Sequence, residues 1–137
     1  MPYRLTIILA SLLAATGVAC GAFAAHGLDD FLASLGYQED FQIRLDWFDT
    51  AVRYQMIHAM GLFLVGILSI LLSQPGMGRF ASGSFLLGCL LFSGSLYVMA
   101  FAPPAWTKLG AIVPLGGIAF IVGWTAIAYG AWQSKKD

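Results

Sequence analysis

The 137-residue sequence predicts an all-α membrane protein, a four-transmembrane-helix antiparallel bundle with an interfacial amphipathic helix between spans one and two. Three observations lead there. Hydrophobic residues make up 59% of the chain and charged residues only 10%, against about a quarter charged in a soluble domain. Mean hydropathy is +0.80. The apolar residues gather into four runs, each close to the roughly 20 residues that a bilayer core demands. The breaks between runs hold the prolines, the turn formers and most of the charge. Seven acids balance seven bases, so there is no basic footprint for nucleic acid. The length suits a single integral membrane domain over residues 1–137.

The first span covers about residues 5–25. Arg4 precedes it and small residues occupy Ala22 to Ala25, as at a signal-peptide cleavage site. The apolar run is longer than a signal core, so a retained span is expected. Gly17-Val18-Ala19-Cys20 matches a lipoprotein site only weakly, because Gly17 stands where an aliphatic residue is needed. Gly17 and Gly21, with Ala14 and Ala25 nearby on the helix, form a small-residue surface for close helix approach.

Between about residues 29 and 48 the character changes. Six of the seven acids lie between Asp29 and Asp49. Phe41, Leu45, Phe48 and Val52 recur at helical spacing, with Asp40, Arg44 and Asp46 elsewhere around the helix. This predicts an amphipathic helix in the membrane interface, its charges on a solvated face and Trp47 at headgroup level.

The second span covers about 51–72 and ends at the turn signal Ser73-Gln74-Pro75-Gly76-Met77-Gly78-Arg79. The third covers about 84–101, because Pro103-Pro104 forbids its continuation. The fourth covers about 109–132, with Thr107 as its expected N-cap and Trp106 and Lys108 at the interface. Gly116, Gly123 and Gly130 recur every seven residues and predict a glycine-lined face buried against a neighbour. An even number of spans places both termini on one side, together with Arg4, Arg79, Lys135 and Lys136. The positive-inside rule then favours cytoplasmic termini.

The polar residues converge on one depth. His26 ends the first span, Arg53 and Tyr54 open the second, and His58 lies about 10 Å deeper than Ala51 at about 1.5 Å per residue. Ser95 and Tyr97 approach the same level from the third span, and Pro114 from the fourth. Thr50, Arg53, Tyr54, Ile57, His58 and Gly61 share one side of the second helix, which is expected to face the bundle interior. Asp49 is four residues before Arg53, so an acid–base pair along the helix is available. Pro114 leaves the Gly110 carbonyl without its usual donor, which Arg53 or Tyr97 is expected to replace. His58 is expected to bond a backbone carbonyl or Tyr97. The polar stripe is open to two interpretations, packing glue between helices or a proton path or pocket.

Catalytic and cofactor signatures are absent. There is no nucleophile elbow, phosphate-binding glycine loop or His-Glu-x-x-His pattern. Two histidines are too few for a closed zinc site. Cys20 and Cys89 sit alone in apolar runs and read as small buried hydrophobes. No enzyme activity, cofactor or metal is expected.

Gly21-Ala22-Phe23-Ala24-Ala25-His26-Gly27-Leu28 and the stretch from Phe48 to Ala59 resemble the first- and second-span signatures of the YgdD-like family of small membrane proteins. Phe92-Ser93-Gly94-Ser95-Leu96-Tyr97, Pro114-Leu115-Gly116-Gly117 and Gly123-Trp124 resemble its third and fourth. The resemblance covers nearly the whole chain and implies four spans and a bacterial inner (plasma) membrane location, without a substrate. Residues 29–46 are longer and more acidic than the family pattern. Two functions are carried forward. One is a non-enzymatic accessory or scaffold protein that self-associates or docks on a larger membrane complex. The alternative is proton or ion conduction, or binding of a small molecule or lipid, at the Arg53/His58 layer.

Overall fold

The first apolar run becomes α1, Tyr3–His26, a 24-residue helix. The computed structural model describes residues 2–72 and 74–134. Ser73 of the expected turn, and Lys135 and Lys136 of the expected positive end, lie outside the described residues. After α1 comes a short helix, α2, Leu28–Ser34. It stops at Gly36, whose φ of +79° lies in the left-handed region that glycine enters without steric cost. The next helix, α3, runs unbroken from Phe41 to Leu71. The expected amphipathic helix is therefore two pieces, α2 and the first turns of α3. No glycine or proline separates Trp47 from Val52, so nothing stops the interfacial turns from continuing into the span. At about 1.5 Å per residue α3 is about 46 Å long, several turns more than a bilayer core requires.

The third crossing is one rod built of three helical forms. α4 covers Pro75–Gly88, a π-helical segment covers Cys89–Gly94, and α5 covers Ser95–Phe101. It begins at Pro75 rather than at the expected residue 84. Pro75 occupies the first helical turn, where a missing N–H costs nothing. Gly78 faces Ser69 of α3, so this glycine of the expected turn signal lets the two helices approach closely, while Gly76 faces open space.

The fourth crossing opens with a 3₁₀ segment, Pro104–Ala111, and continues as α6, Val113–Gln133. Pro114 thus lies in the first turn of α6, not two turns inside a helix. Neither Arg53 nor Tyr97 takes the role expected of it at Gly110, since both bond elsewhere. Thr107 donates to the Pro104 carbonyl at 2.8 Å and caps no helix. Among the described residues, four helical stretches are long and apolar enough to cross a membrane: Tyr3–His26, Phe41–Leu71, Pro75–Phe101 and Pro104–Gln133.

Two apolar clusters hold the bundle. Ala10, Leu62, Val65, Ala81, Phe85 and Phe120 join α1, α3, α4 and α6. At the other end Leu28, Leu32, Phe48 and Ala100 tuck α2 over the ends of α3 and α5. Phe23, Phe31, Phe48 and Phe101 add edge-to-face contacts there, such as 5.5 Å between Phe31 and Phe101. Glycines set the closest crossings. Gly17 faces Met56, Gly116 faces the Phe92 backbone, Gly123 faces the Phe85 ring and Gly130 faces Met77. Gly21 lies beside Val52 with ordinary spacing.

Candidate functional site

The buried face of α3 carries Arg44, Phe48, Ala51, Gln55, His58, Leu62 and Val65, three or four residues apart. Its three polar members each bind a different part of the bundle.

Arg44 has no exposed surface. Its Nη1 donates to the carbonyls of Met99, Ala100 and Ala102 at 3.1, 3.0 and 2.9 Å. The reason lies in the following sequence. In a continuing helix the Met99 and Ala100 carbonyls would accept from residues 103 and 104, but both are prolines and have no N–H. Arg44 supplies the missing donor from a neighbouring helix. Tyr37 does the same for Phe101, donating its hydroxyl to that carbonyl at 3.3 Å. The guanidinium lies 3.5 Å from the Tyr37 ring centroid. Arg44 Nε stands 2.8 Å from Asp40 Oδ2 as an ion pair without hydrogen-bond alignment.

Gln55 ties three helices together. Its Nε2 donates to the Leu13 carbonyl at 2.9 Å and to Thr16 Oγ1 at 3.0 Å. Its Oε1 accepts from the Tyr97 hydroxyl at 2.8 Å. His58 ties α3 to α6. Trp124 Nε1, which can only donate, bonds His58 Nε2 at 3.2 Å. That assigns the other ring proton to Nδ1, which donates to the Tyr54 carbonyl at 2.8 Å. The imidazole also stacks on Phe120, with 3.4 Å between centroids and 8° between planes.

The polar residues picked out by sequence do not form one layer. His26 is exposed at the end of α1. Asp49 and Arg53 pair at 3.3 Å, but their side chains are 66% and 67% exposed and face out of the bundle. Thr50 is half-buried and Ser95 is buried. Tyr54 is partly exposed and stacks on Phe92 at 4.4 Å. Tyr54 and His58 come together, ring on ring, apart from the Asp49–Arg53 pair, and Tyr97 pairs with Gln55 rather than with His58. Ile57 points outward, 49% exposed. The expected interior face was placed about a third of a turn away from the one that packs. The missed residues are Arg44, Gln55, Ser93 and Trp124. Two signals were present: the Pro103-Pro104 pair announces orphan carbonyls, and Gln55 sits three residues before His58 within an apolar stretch.

A cavity of about 420 Å³ opens sideways between α1, α3 and the π-helical segment. Thr16, Cys20, Gln55, Cys89, Ser93 and Tyr97 supply its polar wall. Both cysteines are free thiols. Ser93 is buried, and its hydroxyl has no hydrogen-bond partner among the described residues. Among the described residues, no group of three or more His, Cys, Asp or Glu side chains is placed to hold a metal ion.

A helical bundle with four stretches able to cross a bilayer, its polar groups bonded across helices, defines a small polytopic membrane protein. The family described as "Protein of unknown function (DUF423)" matches residues 20–117, and the chain belongs to it. It is 40% identical over 119 residues to a UPF0382 membrane protein of Haemophilus influenzae, covering 87% of this chain and 86% of that one. It is 41% identical over 128 residues to the UPF0382 membrane protein YwdK of Bacillus subtilis, covering 93% and 96%. The UPF0382 inner membrane protein YgdD of Escherichia coli is 31% identical over 138 residues, covering 99% and 95%. No solved structure matches the chain.

Proposed function

We propose that this is a non-enzymatic accessory protein of the inner membrane that self-associates through the outward face of α3, with both termini cytoplasmic. One observation carries the proposal: the Asp49–Arg53 pair faces out of the bundle at a depth where its neighbours are apolar. Gly17 packs on Met56 and Gly21 on Val52, so α1 and α3 run antiparallel in a register that sets Arg53 level with Cys20. Below the pair the same face continues as Ile57, Met60 and Leu64, all exposed. Charged side chains within a membrane segment ordinarily face the interior of an assembly. An acid and a base one turn apart are also self-complementary. A second copy related by a two-fold axis along the membrane normal keeps every residue at its own depth, so each arginine reaches diagonally, about one helical turn, to the partner's acid.

The chemistry inside the bundle supports a role without catalysis. Both His58 nitrogens are engaged, and Arg53 faces away from them. Conduction through an Arg53–His58 layer therefore has less support than association.

Single-molecule photobleaching in dilute liposomes tests association. The wild type is expected to give two-step traces. Arg53→Asp and Asp49→Arg, each placing like charges together, are each expected to weaken association by about tenfold or more. The double reversal is expected to restore it. Monomers at every density, or single reversals that associate like the wild type, would overturn self-association. Copurification with another membrane protein in place of a second copy would keep the accessory role and change the partner.

A further inference from the structure

We propose that the lateral cavity between α1 and the π-helical segment binds an uncharged, lipid-soluble carbonyl compound of the quinone class, with Ser93 Oγ as the hydrogen-bond donor to its carbonyl. The site is separate from the association face on α3.

The wall chemistry sets the class of ligand. Among the described residues no Asp, Glu, Lys, Arg or His lines the cavity, so none of them would neutralise a phosphate, carboxylate or ammonium in a low-dielectric setting. The stronger polar groups are mostly committed. Gln55 uses both amide hydrogens on Leu13 and Thr16. Tyr97 donates to Gln55, and Thr16 donates back to the Leu12 and Leu13 carbonyls. Ser93 differs. A helical serine ordinarily returns its hydroxyl proton to a carbonyl one turn back, as Ser11 and Ser69 do here. The Ser93 hydroxyl is buried without such a partner. It lies in a π-helical segment, a distortion frequent at functional sites. A χ1 rotation turns this unpaired donor from its closed position toward the cavity, where it calls for an acceptor from the occupant.

Depth and access narrow the choice. Leu90, 69% exposed beside the cavity, marks a mouth that faces the bilayer rather than water. Ser93 is eight residues before Phe101, roughly 12 Å inside the end of the crossing at about 1.5 Å per residue. The ester carbonyls of a glycerolipid stay near the headgroups, above that level. A quinone ring enters the hydrocarbon and carries its carbonyls with it. The volume of about 420 Å³ falls within the range of about 300–1,000 Å³ usual for small-molecule sites.

The half-buried thiol of Cys20 reports occupancy. Full-length protein in phospholipid liposomes is titrated with decylubiquinone, whose fully substituted ring does not alkylate thiols. Modification of Cys20 by N-ethylmaleimide is then followed by mass spectrometry. Saturable protection of Cys20 is expected. Ser93→Ala is expected to weaken it by about tenfold, the usual weight of one hydrogen bond. The same variant should melt no lower than the wild type without ligand, because it removes an unpartnered hydroxyl. Leu90→Trp, which closes the mouth of the cavity, should abolish saturation at Cys20. Dioleoylglycerol at the same mole fraction should not protect. Protection by dioleoylglycerol alone, absence of protection by either compound, or equal affinity in Ser93→Ala would overturn the proposal.

Discussion

Two arginines, nine positions apart on one helix, have opposite roles. Arg53 faces out of the bundle and pairs with a neighbour one turn away on its own helix, so it holds no second helix in place. Arg44 is buried and holds three carbonyls at the end of α5. Replacing it with methionine leaves Met99 and Ala100 without donors, at about 1–3 kcal/mol for each buried group left unpaired. Arg44→Met is expected to lower monomer stability by about 3 kcal/mol. Arg53→Met should change it by less than about 0.5 kcal/mol. Denaturant unfolding of the two variants in the same detergent, which separates the copies, makes the comparison. Equal costs would mean that Arg44 is not the donor for the proline-terminated helix. The sequence shows both arginines, but an arginine in an acidic, amphipathic stretch reads as solvated. Its burial depends on a partner about 55 residues later in the chain, which local spacing cannot reveal. His58 has a similar history. The residue stands out in the sequence, while its indole donor, 66 positions away, does not.

Helices were legible to the extent that their causes are local. Hydropathy over 20 residues is a local property, so four crossings can be counted from composition alone. Their boundaries depend on whether a Pro-Gly stretch starts a helix or stops one, and that depends on what packs beside it. At Pro75 the stretch starts α4, because Gly78 fits against Ser69. The π-helical segment from Cys89 to Gly94 has no residue signature at all. The fourth helix offers the sharpest contrast among glycines. A Cβ at Gly116 would stand 2.5 Å from the backbone nitrogen of Phe92 and 2.9 Å from its Cα, atoms that cannot rotate away. A Cβ at Gly117 would meet nothing within 4 Å. Gly116→Ala is expected to destabilise by about 1–3 kcal/mol through overpacking. Gly117→Ala is expected to stabilise by about 0.5–1 kcal/mol through helix propensity. Thermal melts of the two variants, side by side, separate close approach from propensity. The same sign of shift in both would deny that α6 crosses the π-helical segment at Gly116.

In the whole bundle the polar groups are distributed rather than gathered. Arg44 closes one end, Gln55 joins α1 to α5, and His58 joins α3 to α6. A fourth bond, between the hydroxyls of Thr6 and Ser82 at 3.3 Å, links α1 to α4 near the opposite end. A single polar layer looked reasonable from depth alone, because depth follows from position along a helix. Which face a residue presents follows from how four helices are rotated against one another, and no single helix encodes that. The Thr6–Ser82 contact tests the rotation of the whole assembly. Both residues are nearly inaccessible, at 2% and 0% exposure. Their γ oxygens stand 3.3 Å apart, near enough for sulfurs at those positions to close to bonding distance with a small side-chain adjustment. In a background with Cys20 and Cys89 replaced by alanine, Thr6→Cys with Ser82→Cys is expected to cross-link under mild oxidation in native membranes. Thr16→Cys with Ser82→Cys, displaced by ten residues along α1, should not. The linked protein should keep the Gln55 network, because α1 is already seated where the bridge would hold it. A mobility shift on a non-reducing gel reads the outcome. Cross-linking of the displaced pair in place of the first would mean that α1 sits elsewhere on the bundle, and the cavity beside Ser93 would lose the wall that α1 supplies.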